Sequence, residues 1–342
     1  MVKPMIAKLE SNRKILLKKS NLSNRLYSKS GFGKLDKNGN LRLKPLEAAY
    51  LLENKKIGLE NMDFQSFFEH CIKTHPRFEI KYLVFRDLRK RGYLLEILED
   101  SLFDFKIKGK QIKNQYITIS SERDELSMRK ILSFLKGSNI FLAAIVDEEG
   151  DITYYSFSDI NLKGGIRKNV FPRGEGILLG DRVAIFEKNC AKELLEKEFF
   201  GKTFSEGTQL SFIEAAYLLE KKIIDIIDPK EDKKIRFKEF IKLARKTQPD
   251  IDYRLRVYRD LKERGLIIKT GFKFGTHFRV YKNDPDLHHA EYLVDVVNED
   301  FVTTWSFLSK SVRLAHSVKK EMVFAIINNK HIGYIRVSWM RI

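Results

Sequence analysis

The sequence predicts an α/β protein: a duplicated two-part unit, each copy a helical N-terminal subdomain plus a mixed-sheet C-terminal subdomain. Two observations carry that prediction. One is an internal repeat. Leu46-Glu47-Ala48-Ala49-Tyr50-Leu51-Leu52-Glu53 returns as Ile213-Glu214-Ala215-Ala216-Tyr217-Leu218-Leu219-Glu220. Phe85-Arg86-Asp87-Leu88-Arg89-Lys90-Arg91-Gly92 returns as Tyr258-Arg259-Asp260-Leu261-Lys262-Glu263-Arg264-Gly265. So long a period marks the duplication of a whole domain, not a solenoid. The other observation is that short strand-like runs alternate with helical stretches late in each copy, which gives a mixed sheet flanked by helices. At 342 residues, 43% of them hydrophobic, the chain has material for more than one core.

Taken in order, the first copy has a turn at Gly31-Phe32-Gly33-Lys34, matched by Phe200-Gly201-Lys202 in the second. Helices follow. Apolar positions in Glu47–Leu52 and Phe64–Cys71 fall at helical spacing, and Pro76 and Pro249 close the stretches that come next. The spacing then predicts helices over Tyr82–Lys90 and Tyr253–Glu263. Each is apolar on one face, basic on the other and stopped at an Arg-Gly. Short strands come next, with a further helix near Ser127–Leu135 in the first copy and near Thr304–Val318 in the second. Between the copies Ser156–Gly176, with Gly164, Gly165, Pro172 and Gly174, reads as a linker. The boundaries are therefore 1–80 and 81–155 for the first copy, 156–176 for the linker, and 177–256 and 257–342 for the second.

With 64 Lys+Arg against 46 Asp+Glu the net charge is +18, which favours a polyanionic partner, nucleic acid or an acidic membrane surface. Cys71 and Cys190 stand far apart and outside any Cys-x-x-Cys. That argues against a disulfide framework or a structural zinc site, and for two small buried thiols in a reducing compartment. No run is long enough to span a membrane and the N-terminus lacks a signal-like apolar core, so a cytoplasmic protein without a membrane partner is expected.

Three runs after Val257 each set a proton-handling or cationic side chain beside strand-like residues. Tyr281 ends Phe278-Arg279-Val280-Tyr281. His289 precedes Tyr292-Leu293-Val294-Asp295-Val296-Val297. Lys320 ends a helical stretch and leads into Met322-Val323-Phe324-Ala325-Ile326-Ile327. A phenol, an imidazole and an ammonium are thereby expected at the edges of one small sheet. Each also has an ordinary use: the tyrosine as packing, the histidine as a surface residue, the lysine as a partner of the helix dipole.

In order, these runs closely resemble the catalytic domain of the archaeal tRNA-splicing endonucleases. The resemblance rests on Tyr258-Arg259-Asp260-Leu261, Arg264-Gly265, Lys273-Phe274-Gly275, Phe278-Arg279-Val280-Tyr281, His289-x-x-Tyr292-Leu293-Val294 and Arg313-Leu314-Ala315-x-Ser317-Val318-Lys319-Lys320. It implies a nuclease-like fold for both C-terminal subdomains, a catalytic triad of Tyr281, His289 and Lys320, and cleavage of precursor tRNA at a bulge–helix–bulge. It also implies 2′,3′-cyclic phosphate and 5′-hydroxyl products, no cofactor and no metal. The spacing of the family motif selects His289 over His288, and His277 and His316 take no family role and read as surface or RNA-edge residues. Arg313 and Arg336 match arginines that sandwich a bulge base in the family. The acidic run Asp147, Glu148, Glu149, Asp151, otherwise a solvated hairpin turn, matches a plug that docks on the other subunit. The 81–155 subdomain is then a degenerate, non-catalytic copy. Aligned by sequence, it sets Ile107 opposite Tyr281 and Asn139 opposite Lys320, and it contains no histidine. One triad per chain and a degenerate partner repeat are the pattern of the two-repeat homodimers of that family.

The chemistry is consistent with these residue types. Cleaving RNA without a metal needs a base for the 2′-OH, an acid for the leaving 5′-oxygen and a cation for the phosphorane. Histidine suits the acid because it titrates near neutrality. Lysine suits the electrostatic role. Tyrosine, with an ordinary pKa of about 10, needs cations beside it to act as a base. Two other classes stay open on the residues alone. One is a non-catalytic structured-RNA or DNA-binding protein on the same fold. The other is a metal-dependent DNA nuclease, which the lack of a carboxylate cluster near the triad disfavours.

Overall fold

A computed structural model describes residues 5–10, 14–108, 115–167, 169–329 and 331–342. The chain forms two compact units, one mainly from residues 1–125 and 133–157, the other mainly from 158–339. The architecture is mixed α/β, and each N-terminal part carries its helices on a sheet. In the first copy Met5–Leu9 runs parallel to Ile57–Leu59 and antiparallel to Ile15–Leu17, and Leu41–Leu43 and Lys34–Leu35 continue the sheet. In the second, Gly174–Leu179 runs parallel to Ile224–Asp228 and antiparallel to Arg182–Ile185, continued by Gly207–Ser211 and Lys202–Phe204. The two sheets thus share one order and one set of directions, so the duplication reaches back to the first described strand.

The repeated sequences have a structural purpose. Glu47 and Glu214 are both buried. The Glu47 carboxylate accepts the N–H of Lys44 and of Gly33, each at 2.8 Å. That of Glu214 accepts the N–H of Ser211 at 2.9 Å and of Gly201 at 2.8 Å. Each glutamate caps its own helix, Pro45–Glu53 or Phe212–Glu220, and ties it to the glycine turn. Gly33 and Gly201 sit at φ +64° and +66°, and an added Cβ would stand 2.5 Å from a carbonyl oxygen, so the turn requires glycine.

The second repeated motif fastens the helices Phe78–Lys90 and Ile251–Glu263. Arg86 reaches Glu53 at 3.2 Å, and Arg259 holds Glu220 by two bonds at 2.8 and 3.0 Å. Asp87 accepts the hydroxyl of Tyr154 and Asp260 that of Tyr334, both at 2.7 Å. The sequence motifs that both copies keep are therefore spent on holding the fold.

Each C-terminal part is the expected mixed sheet. In the second unit Ile267–Thr270, Phe278–Tyr281 and Tyr292–Asn298 are antiparallel neighbours, Glu321–Ile327 joins parallel to the last, and Ile332–Met340 follows antiparallel. The first unit repeats this with Leu94–Ile97, Phe105–Lys108, Tyr116–Ser121 and Ile140–Val146. The register corrects the alignment of the copies by one residue. Leu94 pairs with Lys108 as Ile267 pairs with Tyr281. Lys108, not Ile107, therefore stands in the place of Tyr281. Side chains alternate along a strand, and Ile107 takes the fully buried place of Val280. Counting back from Leu142, paired with Ile117, and from Val323, paired with Val294, leaves Asn139 opposite Lys320 as expected.

The stretch read as a linker is held against the second unit over residues 160–166. The strand Ile152–Asp159 runs into it. Beyond it, Ile160 donates to the Tyr334 carbonyl, Gly164 to that of Arg264 and Ile166 to that of Gly265, each at 3.0 Å. Leu162 is fully buried in the core of the second unit; Lys168 lies outside the described residues. Both thiols are free and buried, and burial pushes Cys71 up to about 12 and Cys190 to about 11. Among the described residues no helix is long and apolar enough to cross a membrane.

Candidate active site

The register gathers the three predicted residues at one end of the second unit's C-terminal sheet. Val280 pairs with Tyr292, and Tyr292 with Glu321. Tyr281 leaves its strand there, the His289 segment enters the next strand there, and Lys320 precedes the third. Arg279, Leu293 and Met322 are cross-strand partners and share a face. Tyr281 and Lys320 lie two positions along from Arg279 and Met322, hence on that same face. Ring contacts agree: the Phe274 ring lies under both the Lys320 Nζ, at 5.7 Å, and the Arg279 guanidinium, at 6.0 Å. The other face, with Phe278, Val280, Tyr292, Val294 and Val323, is packed into the core.

Tyr281 is largely buried and packs with Ile267 and Ala290. Ala290 thereby seats the exposed His289 next to it in the chain. His288 belongs to a turn, its N–H bonded to the Asp284 carbonyl at 2.9 Å. Lys320 is set by the end of the helix Trp305–Ser317. Its N–H bonds the Ala315 carbonyl at 2.9 Å and that of Lys319 bonds His316 at 3.0 Å, with Lys319 left-handed at φ +54°. This is a Schellman turn, and it fixes the backbone from which the ammonium projects.

The remaining predicted residues are more dispersed. Arg313 is exposed on the same helix and makes no ion pair among the described residues. Arg336 pairs with Val323 and so stands on the face opposite Lys320, bonded to Glu321 and to the Ser158 hydroxyl, both at 3.3 Å. The acidic run is a tight hairpin turn. Asp147 accepts the N–H groups of Glu149 and Asp151 at 3.1 and 2.8 Å, Glu148 pairs with Arg123, and Glu149 and Asp151 are exposed. Asp147 thus builds the turn that presents the other three.

Sequence reasoning missed two residues here and misplaced a third. Arg279 lies 5.9 Å from the Tyr281 ring and is braced by its Nε bond to the Thr270 carbonyl. Its position two before the tyrosine in a strand was the available signal. Glu291 bonds to both neighbouring strands: its N–H to the Val280 carbonyl at 3.1 Å, its own carbonyl to the Glu321 N–H at 2.9 Å. Its carboxylate accepts the Lys282 N–H at 2.9 Å. His277 is no free surface residue. It is half-buried between Asp250, at 3.1 Å, and Asp295, at 2.6 Å, which come from distant parts of the chain. Among the described residues no group of three or more His, Cys, Asp or Glu stands together in a way that could hold a metal ion.

Comparison with known proteins follows the same division of the chain. The tRNA intron endonuclease catalytic C-terminal domain matches residues 251–334. The N-terminal domain of the same enzymes matches twice, at 5–68 and at 174–241. A tRNA-splicing endonuclease of Methanococcoides burtonii is 33% identical over 98% of this chain and 100% of its own length. One of Haloarcula marismortui is 32% identical over 93% of each. One of Pyrococcus abyssi is 35% identical over 49% of this chain and 96% of its own. A shorter relative thus spans about one copy of the duplicated unit.

Proposed function

The chain belongs to the tRNA-splicing endonuclease family, and we propose that it excises introns from precursor tRNA by cutting at bulge–helix–bulge structures, as a homodimer and without a metal. Its acceptance of precursor tRNA and its work in the cytoplasm are part of the same reading. In the same reading 1–80 and 177–256 are the N-terminal subdomains, 81–155 is the non-catalytic copy, 156–176 the linker and 257–342 the catalytic domain.

One observation supports this best. The repeated motifs are engaged in hydrogen bonds that hold each copy together, whereas the phenol, imidazole and ammonium belong to the second copy alone. In the proposed reaction Tyr281 takes the proton of the 2′-OH, whose oxygen attacks the adjacent phosphorus. The new P–O2′ bond closes the 2′,3′-cyclic phosphate as the P–O5′ bond breaks, and His289 protonates the departing 5′-oxygen. Lys320 faces the extra negative charge of the phosphorane. Arg279, 5.9 Å from the Tyr281 ring, adds a second cation on the same face of the site. Arg313 and Arg336 are assigned to a flipped bulge base, which planar guanidinium groups stack on well.

The test is cleavage of a defined bulge–helix–bulge RNA in excess chelator, with end analysis of the products. Paired cuts leaving cyclic phosphate and 5′-hydroxyl ends are expected. Binding without cleavage would favour a structured-RNA-binding protein, and loss of activity with chelator a metal-dependent nuclease.

A further inference from the structure

A cleft of ≈ 830 Å³ opens in the second unit with Tyr281 on its wall. Its volume falls within the roughly 300–1,000 Å³ of sites that enclose small organic ligands. One side comes from the Phe278–Tyr281 hairpin, with Lys269, Arg279 and the 3-10 turn bearing Phe272; the other comes from the Lys202–Phe204 and Gly207–Ser211 strands of the N-terminal part. Lys202 and Phe272 lie within the matched domains but outside the short runs that carry the three catalytic candidates.

The charges lining it are unequally available. Arg279 is braced by Nε to the Thr270 carbonyl, which leaves its Nη groups open, and it has no ion-pair partner among the described residues. Lys202 is exposed and likewise without an ion pair among them. Of the acids, Glu214 is taken up by the N–H groups of Gly201 and Ser211, and Asp181 lies 3.7 Å from Arg182. Asp286 is the lining carboxylate left over. Phe272 is 85% exposed, an unusual state for a phenylalanine and a ready platform for a flat ring.

We propose that this cleft binds a nucleotide of the RNA strand that adjoins the cleaved bond, with Arg279 and Lys202 on its phosphate and Phe272 stacked on its base. The proposal rests on the reading that Tyr281 acts on RNA. It gives the N-terminal part of the second copy a share in holding the substrate. Cations along a groove with an aromatic platform form the general chemistry of single-strand binding, tolerant of base identity.

The experiment measures binding and cleavage of the bulge–helix–bulge RNA by wild type, Lys202→Ala and Phe272→Ala, with Lys202→Arg and Phe272→Trp as conservative variants. Both positions are exposed, and thermal unfolding followed by circular dichroism verifies that the variants fold. About tenfold weaker binding is expected for each alanine variant, with recovery in the conservative ones. Lys202→Ala should also lower the slope of log K against log salt by about 0.7, the value for one phosphate contact on a single strand. RNAs shortened to remove the nucleotides flanking the cut should erase the difference between wild type and variant. Alanine variants that bind and cut like a competent wild type overturn the cleft alone. So does a deficit that persists on shortened RNA. A wild type that neither binds nor cuts RNA overturns this proposal together with the one it rests on.

Discussion

The carboxylate of Glu291 accepts the backbone N–H of Lys282, the residue after Tyr281, at 2.9 Å. Since the main chain of Glu291 is also bonded to Val280 and Glu321, this one residue fixes the exits of Tyr281 and Lys320 relative to each other. Glu291→Ala is expected to lower kcat about 10- to 100-fold with KM changed only a few-fold, because small misplacements of reacting groups are costly. Glu291→Gln keeps an acceptor oxygen and should retain most activity. Steady-state kinetics decide it: an alanine variant with wild-type kcat removes the positioning role.

His289→Ala should abolish cleavage while RNA binding stays within a few-fold, since an acid acts only in the transition state. His288→Ala, at a turn position, should cut almost normally. A reversed pattern in single-turnover assays would transfer the acid to His288.

Charge reversal of the hairpin turn should separate the proposed dimer. The informative variant is Glu148→Lys, Glu149→Lys and Asp151→Lys, leaving Asp147 to hold the turn. Light scattering at moderate salt is expected to give monomers, with paired cleavage lost and circular dichroism unchanged. A wild type that is already monomeric contradicts the assembly, and a variant that stays dimeric and active makes the run an ordinary solvated turn.

Lys262 and Glu198 form a buried pair at 2.7 Å, with the ammonium 4.3 Å from the Phe200 ring. Lys262→Met leaves a buried carboxylate unpaired and should cost about 3–5 kcal/mol in denaturant unfolding. Adding Glu198→Leu should recover most of that loss. Burial lowers the Lys262 pKa below its ordinary 10.5, with Glu198 opposing. The folded state therefore releases this proton first. Its contribution to stability should rise with pH from the lowered value up to 10.5, and Lys262→Met should lack that rise.

The helices and the three catalytic candidates were legible because each follows from local order: helical spacing, an Arg-Gly stop, a motif beside a strand-like run. The N-terminal sheets were not. Leu41–Leu43 and Lys34–Leu35 are too short for alternation to show, and they join the rest of the sheet only through Ile15–Leu17, which is distant in sequence. Register was equally hidden. Ile107 and Lys108 are adjacent, and only the pairing with Leu94–Ile97 reveals which one faces as Tyr281 does. His277 looked like a surface histidine because Asp250 and Asp295, which hold it, are brought there by the fold.

The Schellman turn at Lys319 makes the helix Trp305–Ser317 and Lys320 one rigid piece, because it returns the Lys320 N–H to Ala315 while Val312 and Ala315 are buried. The backbones of Arg313 and Lys320 therefore stand at a fixed spacing, like two marks on one ruler.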